Sequence, residues 1–210
     1  MTDKPHAPAT QRNRDPILEV LRVQFAGCAQ VLEIGSGTGQ HAVHFGAALP
    51  QLQWQCSDRA PYLPGIRAWL ADAQLPNTPP PIELDVLHGP WPDARYDAVF
   101  SANTLHIMGW PEVQALFVGL DAVLAANAML AIYGPFNIDG RPTSDSNAAF
   151  DAELKARAPQ MGLRDVEAVD GLAHKIGLQL VAGTPMPANN LCLVWRRCVA
   201  IATKENSRIR

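Results

Sequence analysis

Val31-Leu-Glu-Ile-Gly-Ser-Gly-Thr-Gly39 decides the fold. A short apolar run, Gln30 to Ile34, reads as a strand. It enters three alternating glycines, and Gln40 to Leu49 then reads as a helix stopped by Pro50. Glycines let the backbone turn sharply and let a ligand approach it closely. The helix start presents free N–H groups to a carboxylate or phosphate. The ligand is narrowed by spacing. A dinucleotide fingerprint is G-x-G-x-x-G, and counting from Gly35 puts Gln40 where the third glycine belongs. The spacing here is G-x-G-x-G, preceded by Glu33. A carboxylate beside the turn repels a pyrophosphate and suits an ammonium group.

Outward from this turn, the pattern repeats. Leu52–Cys56, Ile82–Leu84, Asp97–Ser101 and Ala128–Tyr133 are short apolar runs that read as strands two to five. Helices are expected over Tyr62–Ala73 and Pro111–Ala125. Alternation of apolar strands with helices predicts a parallel sheet covered on both faces. Asp15-Pro16 reads as a helix start, Asp as N-cap and Pro at the first helical position, with Leu18, Leu21 and Phe25 on one face. Further helices are expected over Asn147–Ala158 and Asp165–Lys175. The last two strands, Leu178–Thr184 and Leu191–Arg197, are joined by six residues, too few for a parallel crossover, so they pair antiparallel. The expected organisation is an arm (1–14), one domain (15–198) holding a polar insert (134–158), and a basic tail (199–210).

Composition excludes several classes. The chain has 210 residues and a net charge of −3, enough for one domain with a full core. Residues 1–14 carry Lys4, Arg12 and Arg14 against Asp3; residues 199–210 carry Lys204, Arg208 and Arg210 against Glu205. Each end is therefore +2 and the body −7. An acidic body argues against a nucleic-acid partner, which needs clustered Lys and Arg. No apolar run reaches the ~18 residues of a membrane span, and Met1-Thr-Asp-Lys-Pro-His6 has no apolar signal region. Cys28, Cys56, Cys192 and Cys198 show no C-x-x-C spacing and read as reduced thiols of a cytoplasmic protein.

The glycine turn and its preceding acid resemble the first motif of the class I S-adenosylmethionine-dependent methyltransferases. The resemblance covers roughly Asp15 to Arg197 in element order. It implies an α/β, doubly wound, Rossmann-like sheet of seven mostly parallel strands, order 3-2-1-4-5-7-6, with an antiparallel last strand. It implies S-adenosylmethionine as cofactor. Gly35, Gly37 and Gly39 would wrap its methionine end, and Glu33 would help orient the amino group. Asp58, at the end of strand two, would accept both ribose hydroxyls, although this placement alone also fits NAD. Asp85, at the end of strand three, would accept the adenine amino group; its other reading is a strand-end cap. Arg12-Asn-Arg-Asp-Pro-Ile-Leu-Glu-Val20, Gly37-Thr-Gly-Gln-His-Ala-Val43 and Met186-Pro-Ala-Asn-Asn190 are also similar to a family of methyltransferase-like proteins of unknown function.

In open α/β sheets ligands sit beyond the carboxyl ends of the strands, at the switch in strand order. Asn103 and His106, after strand four, should flank that position. Asn103 is assigned to the cofactor. His106 is either a base for the acceptor's proton or a wall residue. His41 and His44 share a helix face but are too few for a metal site, and no metal is assigned. Arg12, Asn13, Tyr133, Phe136 and Arg141 are the expected acceptor-binding residues, the last two from an insert that is either a lid or a solvated loop. The N/D-P-P-Y/F motif of amino-methylating nucleic-acid enzymes is replaced by Ser101-Ala-Asn-Thr104, and no cysteine follows a proline. The expected activity is methyl transfer to a small-molecule acceptor. A non-catalytic cofactor-binding protein working through a partner, and an NAD-dependent oxidoreductase, remain open, and no oligomeric state is assigned.

Overall fold

The computed structural model describes residues 4–198. In chain order the elements are α1 (Pro8–Gln24), β1 (Gln30–Ile34), α2 (Gln40–Ala48), β2 (Gln53–Asp58), α3 (Leu63–Ala73), β3 (Ile82–Glu83), β4 (Tyr96–Ala102) and α4 (Trp110–Val123). They continue as β5 (Leu124–Gly134), β6 (Phe136–Ile138), β7 (Arg141–Pro142), α5 (Asp145–Arg157), β8 (Arg164–Asp165), α6 (Val166–Lys175), β9 (Leu178–Met186) and β10 (Asn190–Arg197). The main sheet runs β3-β2-β1-β4-β5-β10-β9. Only β10 is antiparallel to its neighbours, β5 and β9. Counting main-sheet strands alone, this is the expected 3-2-1-4-5-7-6 order.

The strands are apolar on both sides because both faces are covered. Val31, Phe100 and Met129 point into one core with Phe45, Trp54 and Ile66, beneath α1, α2 and α3. Leu32, Val99 and Leu130 point into the other with Leu116, Phe117 and Val169, beneath α4 and α6. Each such large side chain, fully buried, contributes roughly 1.5–3 kcal/mol. Among the described residues no helix is long and apolar enough to cross a membrane.

Three local expectations are corrected. The first helix begins at Pro8, not Asp15, so residues 8–14 of the expected arm are helical. Pro8 takes the first helical position, where its missing N–H costs nothing. Pro16 is then interior, where it deprives the Arg12 carbonyl of a donor. Contacts of the first half of α1 with α2, described below, offset that loss. Second, the insert after β5 is partly ordered: β6 pairs with β7 and with β8, making a separate three-stranded sheet. Third, β5 starts at Leu124, directly after α4. The basic tail 199–210 lies outside the described residues.

Candidate active site

The glycine turn is shaped by its neighbours. Gly35 has φ +73°, and a Cβ there would stand 2.5 Å from Thr104 Cγ2. Gly39 has φ +88°, and a Cβ there would press on the Ile66 backbone of α3. A Cβ on Gly37 would meet nothing within 4 Å, so this edge of the turn faces open space. The Gly37 N–H donates to Asp58 Oδ2 (2.7 Å), and the Arg59 N–H donates to Asp58 Oδ1 (2.8 Å). Asp58 thus clamps the turn to the end of β2. Burial raises its pKa despite these two donors.

Glu33 is placed differently from expectation. It is buried beneath the turn and lines none of the cavities described below. The Trp54 indole N–H donates to its Oε2 (2.9 Å). Burial pushes its pKa up to about 7. Asp85 Oδ1 accepts from the Leu87 and His88 N–H groups (2.9 and 3.3 Å), which with the nearby His88 ring hold its pKa below the usual carboxylate range. That is the arrangement of a strand-end cap, and the same residue also lines a cavity.

Three cavities meet beyond the carboxyl ends of β1 and β4. The first, about 260 Å³, is bounded by Asp58, Asp85, Leu84, Val86, Ile107 and Met108. The second, about 510 Å³, lies between the glycine turn, His41 and residues Pro5, Ala7 and Thr10. The third, about 600 Å³, is walled by Arg12, Asn13, His106, Tyr133, Asn147 and Phe150. Asn103 lines all three. Its φ of +57° is a left-handed conformation that asparagine tolerates. Its N–H donates to the Tyr133 carbonyl (2.8 Å), which fixes it at the end of β5.

The third cavity sorts the expected acceptor residues. Arg12, Asn13 and Tyr133 lie on it; Phe136 and Arg141 do not. Phe136 is 1% exposed in the core under α4 and α6, and Arg141 is exposed on β7. Pro135 and the α5 residues Asn147 and Phe150 take their place. His106 packs edge-on against Phe150, with ring centroids 5.4 Å apart. Burial, helped by the Arg164 charge, lowers its pKa to about 4, so it is neutral near pH 7. Arg164 braces the same loop: its Nε–H donates to the Leu105 carbonyl (3.1 Å) and its Nη2 donates to both the Met108 and Gln160 carbonyls.

The first half of α1 ties the cavities together. Asn13 Oδ1 lies 2.8 Å from His41 Nε2. Gln40, the residue in the third-glycine position of a dinucleotide fingerprint, accepts the Ala7 N–H through Oε1 (2.6 Å). Trp69 Nε1–H donates to the Pro5 carbonyl (2.7 Å), and Lys4 pairs with Asp72. Sequence reading placed Arg12 and Asn13 at the site but missed the stretch from Pro5 to Thr10 as a wall. The available signal was Gln40, a polar residue where a dinucleotide fingerprint has glycine. It also missed Leu84, Val86, Ile107 and Met108, apolar residues just past their strand ends.

A family model described as "Protein of unknown function (DUF938)" matches residues 4–197. Solved structures match as well. An O-methyltransferase family protein from Burkholderia thailandensis superposes with a TM-score of 0.76 at 18% identity, over 89% of this chain and 56% of that one. The S-adenosylmethionine-dependent methyltransferase SibL gives 0.77 at 21%, over 91% and 56%. PigF with SAH gives 0.73 at 14%, over 86% and 54%. The chain therefore spans about half the length of these proteins. At such identities the likeness establishes the fold, a Rossmann-like methyltransferase fold.

Proposed function

The chain belongs to the DUF938 family, and from its site we propose that it binds S-adenosylmethionine and transfers a methyl group to a small-molecule acceptor. The observation that carries this is the junction at Asn103. One side chain borders a cavity with carboxylates and apolar walls, a cavity at the glycine turn, and a third chamber.

The residues fit the cofactor. Asp58 spends one acceptor site of each oxygen on backbone N–H groups, which leaves lone pairs for ribose hydroxyls. Leu84, Val86, Ile107 and Met108 offer apolar contact to an adenine, with Asp85 at the rim. The open edge at Gly37 admits the methionine end, and Gly35, Gly39 and Glu33 support the turn from behind. When bound, the cofactor supplies a methyl group already activated on a sulfonium. The protein then has to position and desolvate, and effective molarity supplies most of the acceleration. Asn103 orients groups at the junction, and the third cavity holds the acceptor. His106, neutral near pH 7, accepts a proton from an acceptor that arrives protonated. The similarity to SibL and to PigF with SAH supports this reading.

Calorimetry with S-adenosylhomocysteine (SAH) and with NAD tests it. SAH is expected to bind and NAD is not. Failure of SAH to bind defeats the proposal. A metabolite extract incubated with methyl-labelled cofactor should then yield a labelled product; SAH binding without one assigns the protein instead to non-catalytic cofactor binding.

A further inference from the structure

We infer that the acceptor is an organic anion and that Arg12 selects it by holding a carboxylate. The inference rests on reading the third cavity as the acceptor chamber. That chamber has one charged side chain in its wall, Arg12, and no Asp or Glu. Its histidine, His106, adds no charge near pH 7. The first cavity is the reverse: Asp58, Asp85 and Glu112 stand there against Arg59. Acidic and basic groups are thus segregated on the two sides of Asn103. A cationic cofactor suits the acidic side, and an anionic acceptor suits the other.

Arg12 also stands apart from the other arginines of its helix. Arg14 lies 3.8 Å from Asp15 and Arg22 lies 3.7 Å from Glu19. Among the described residues Arg12 enters no ion pair, and it projects from the helix half that walls the chamber. Tyr133 lines the same chamber and brings a hydroxyl to it. A guanidinium fork and one O–H donor form a carboxylate-binding set. They also oppose a cationic acceptor.

The reacting end of the acceptor has a separate place. A Cβ on Gly134, at the end of β5, would come within 3.8 Å of His106 Nδ1 and 3.9 Å of Asn103 Oδ1. Both polar atoms therefore lie beside this glycine at ordinary contact distance. The anion is held at Arg12 while a neutral hydroxyl meets these two groups.

The test uses the full chain saturated with SAH. Small hydroxylated carboxylates, salicylate and 4-hydroxybenzoate among them, are titrated in parallel with their neutral amides. At least one carboxylate should bind ten or more times tighter than its amide. Arg12→Gln should abolish that preference, and Arg12→Lys should retain part of it. Equal binding of acid and amide, binding of no carboxylate, or a preference that survives Arg12→Gln overturns the inference. The preceding SAH titration reports on the cofactor separately, so an SAH-binding protein that ignores carboxylates refutes the anion alone.

Discussion

Glu33 shows how much one buried carboxyl shapes the response to pH. Its pKa of about 7 lies above the ordinary 4.5, because burial outweighs the Trp54 hydrogen bond. The folded protein therefore keeps a proton that the unfolded chain gives up. Stability from this group is full below 4.5 and is lost as pH rises to about 7. At 1.36 kcal/mol per pH unit the loss is about 3 kcal/mol. Glu33→Gln, which can still accept from Trp54, should raise Tm at pH 8 and leave it nearly unchanged at pH 4.5. An equal shift at both pH values would contradict this account. Asp58 holds the turn from outside. Asp58→Ala removes the acceptor of the Gly37 N–H and should weaken SAH at least tenfold by calorimetry. For His106, burial sets a pKa of about 4. Turnover should show its acid limb below pH 5, not near 6.5, and His106→Ala should remove that limb. At this scale the glycines and Asp58 were legible in the sequence, because strand, turn and spacing are local. The environment of Glu33 was not, because Trp54 arrives from β2, 21 residues away.

Elements repeat the lesson. Asp15-Pro16 carries a sound local signal for a helix start, yet α1 runs through it. The contacts that decide, Asn13 to His41 and Ala7 to Gln40, join positions 28 and 33 residues apart. The strands β6, β7 and β8 have two or three residues each, too few to show a period. Composition marked the insert after β5 as either a lid or a solvated loop but did not say which side chains face inward: Phe136 and Arg141 lie off the third cavity, and Asn147 and Phe150 line it. The central strands β1, β4 and β5 were legible, because burial on both faces leaves a nearly continuous apolar run. Arg164 is the element-scale brace of the loop from β4 to α4, through backbone carbonyls of Leu105 and Met108. Arg164→Met removes a positive charge near His106. The His106 pKa, followed by NMR, should rise from about 4 toward its ordinary value. No movement would mean that burial alone sets it.

At the scale of the molecule, the sheet is a rigid floor and the cavities are closed from above by separate pieces. One of those pieces serves two chambers. Ala9, early in α1, borders both the glycine-turn cavity and the third cavity. Downstream of Pro16 the same helix is anchored by Ile17, Leu18 and Leu21 in the core. Pro16 withholds one backbone hydrogen bond between the two halves. The upstream half is held instead by polar contacts, the Ala7 N–H on Gln40 and Asn13 on His41. A ligand in the glycine-turn cavity would add contacts to that half and so steady Arg12 beside it. The expected kinetic outcome is an ordered sequence, cofactor first and acceptor second. Product inhibition should show it: SAH competitive with S-adenosylmethionine and non-competitive with the acceptor. Amide exchange over residues 8–15 should slow when SAH alone is added.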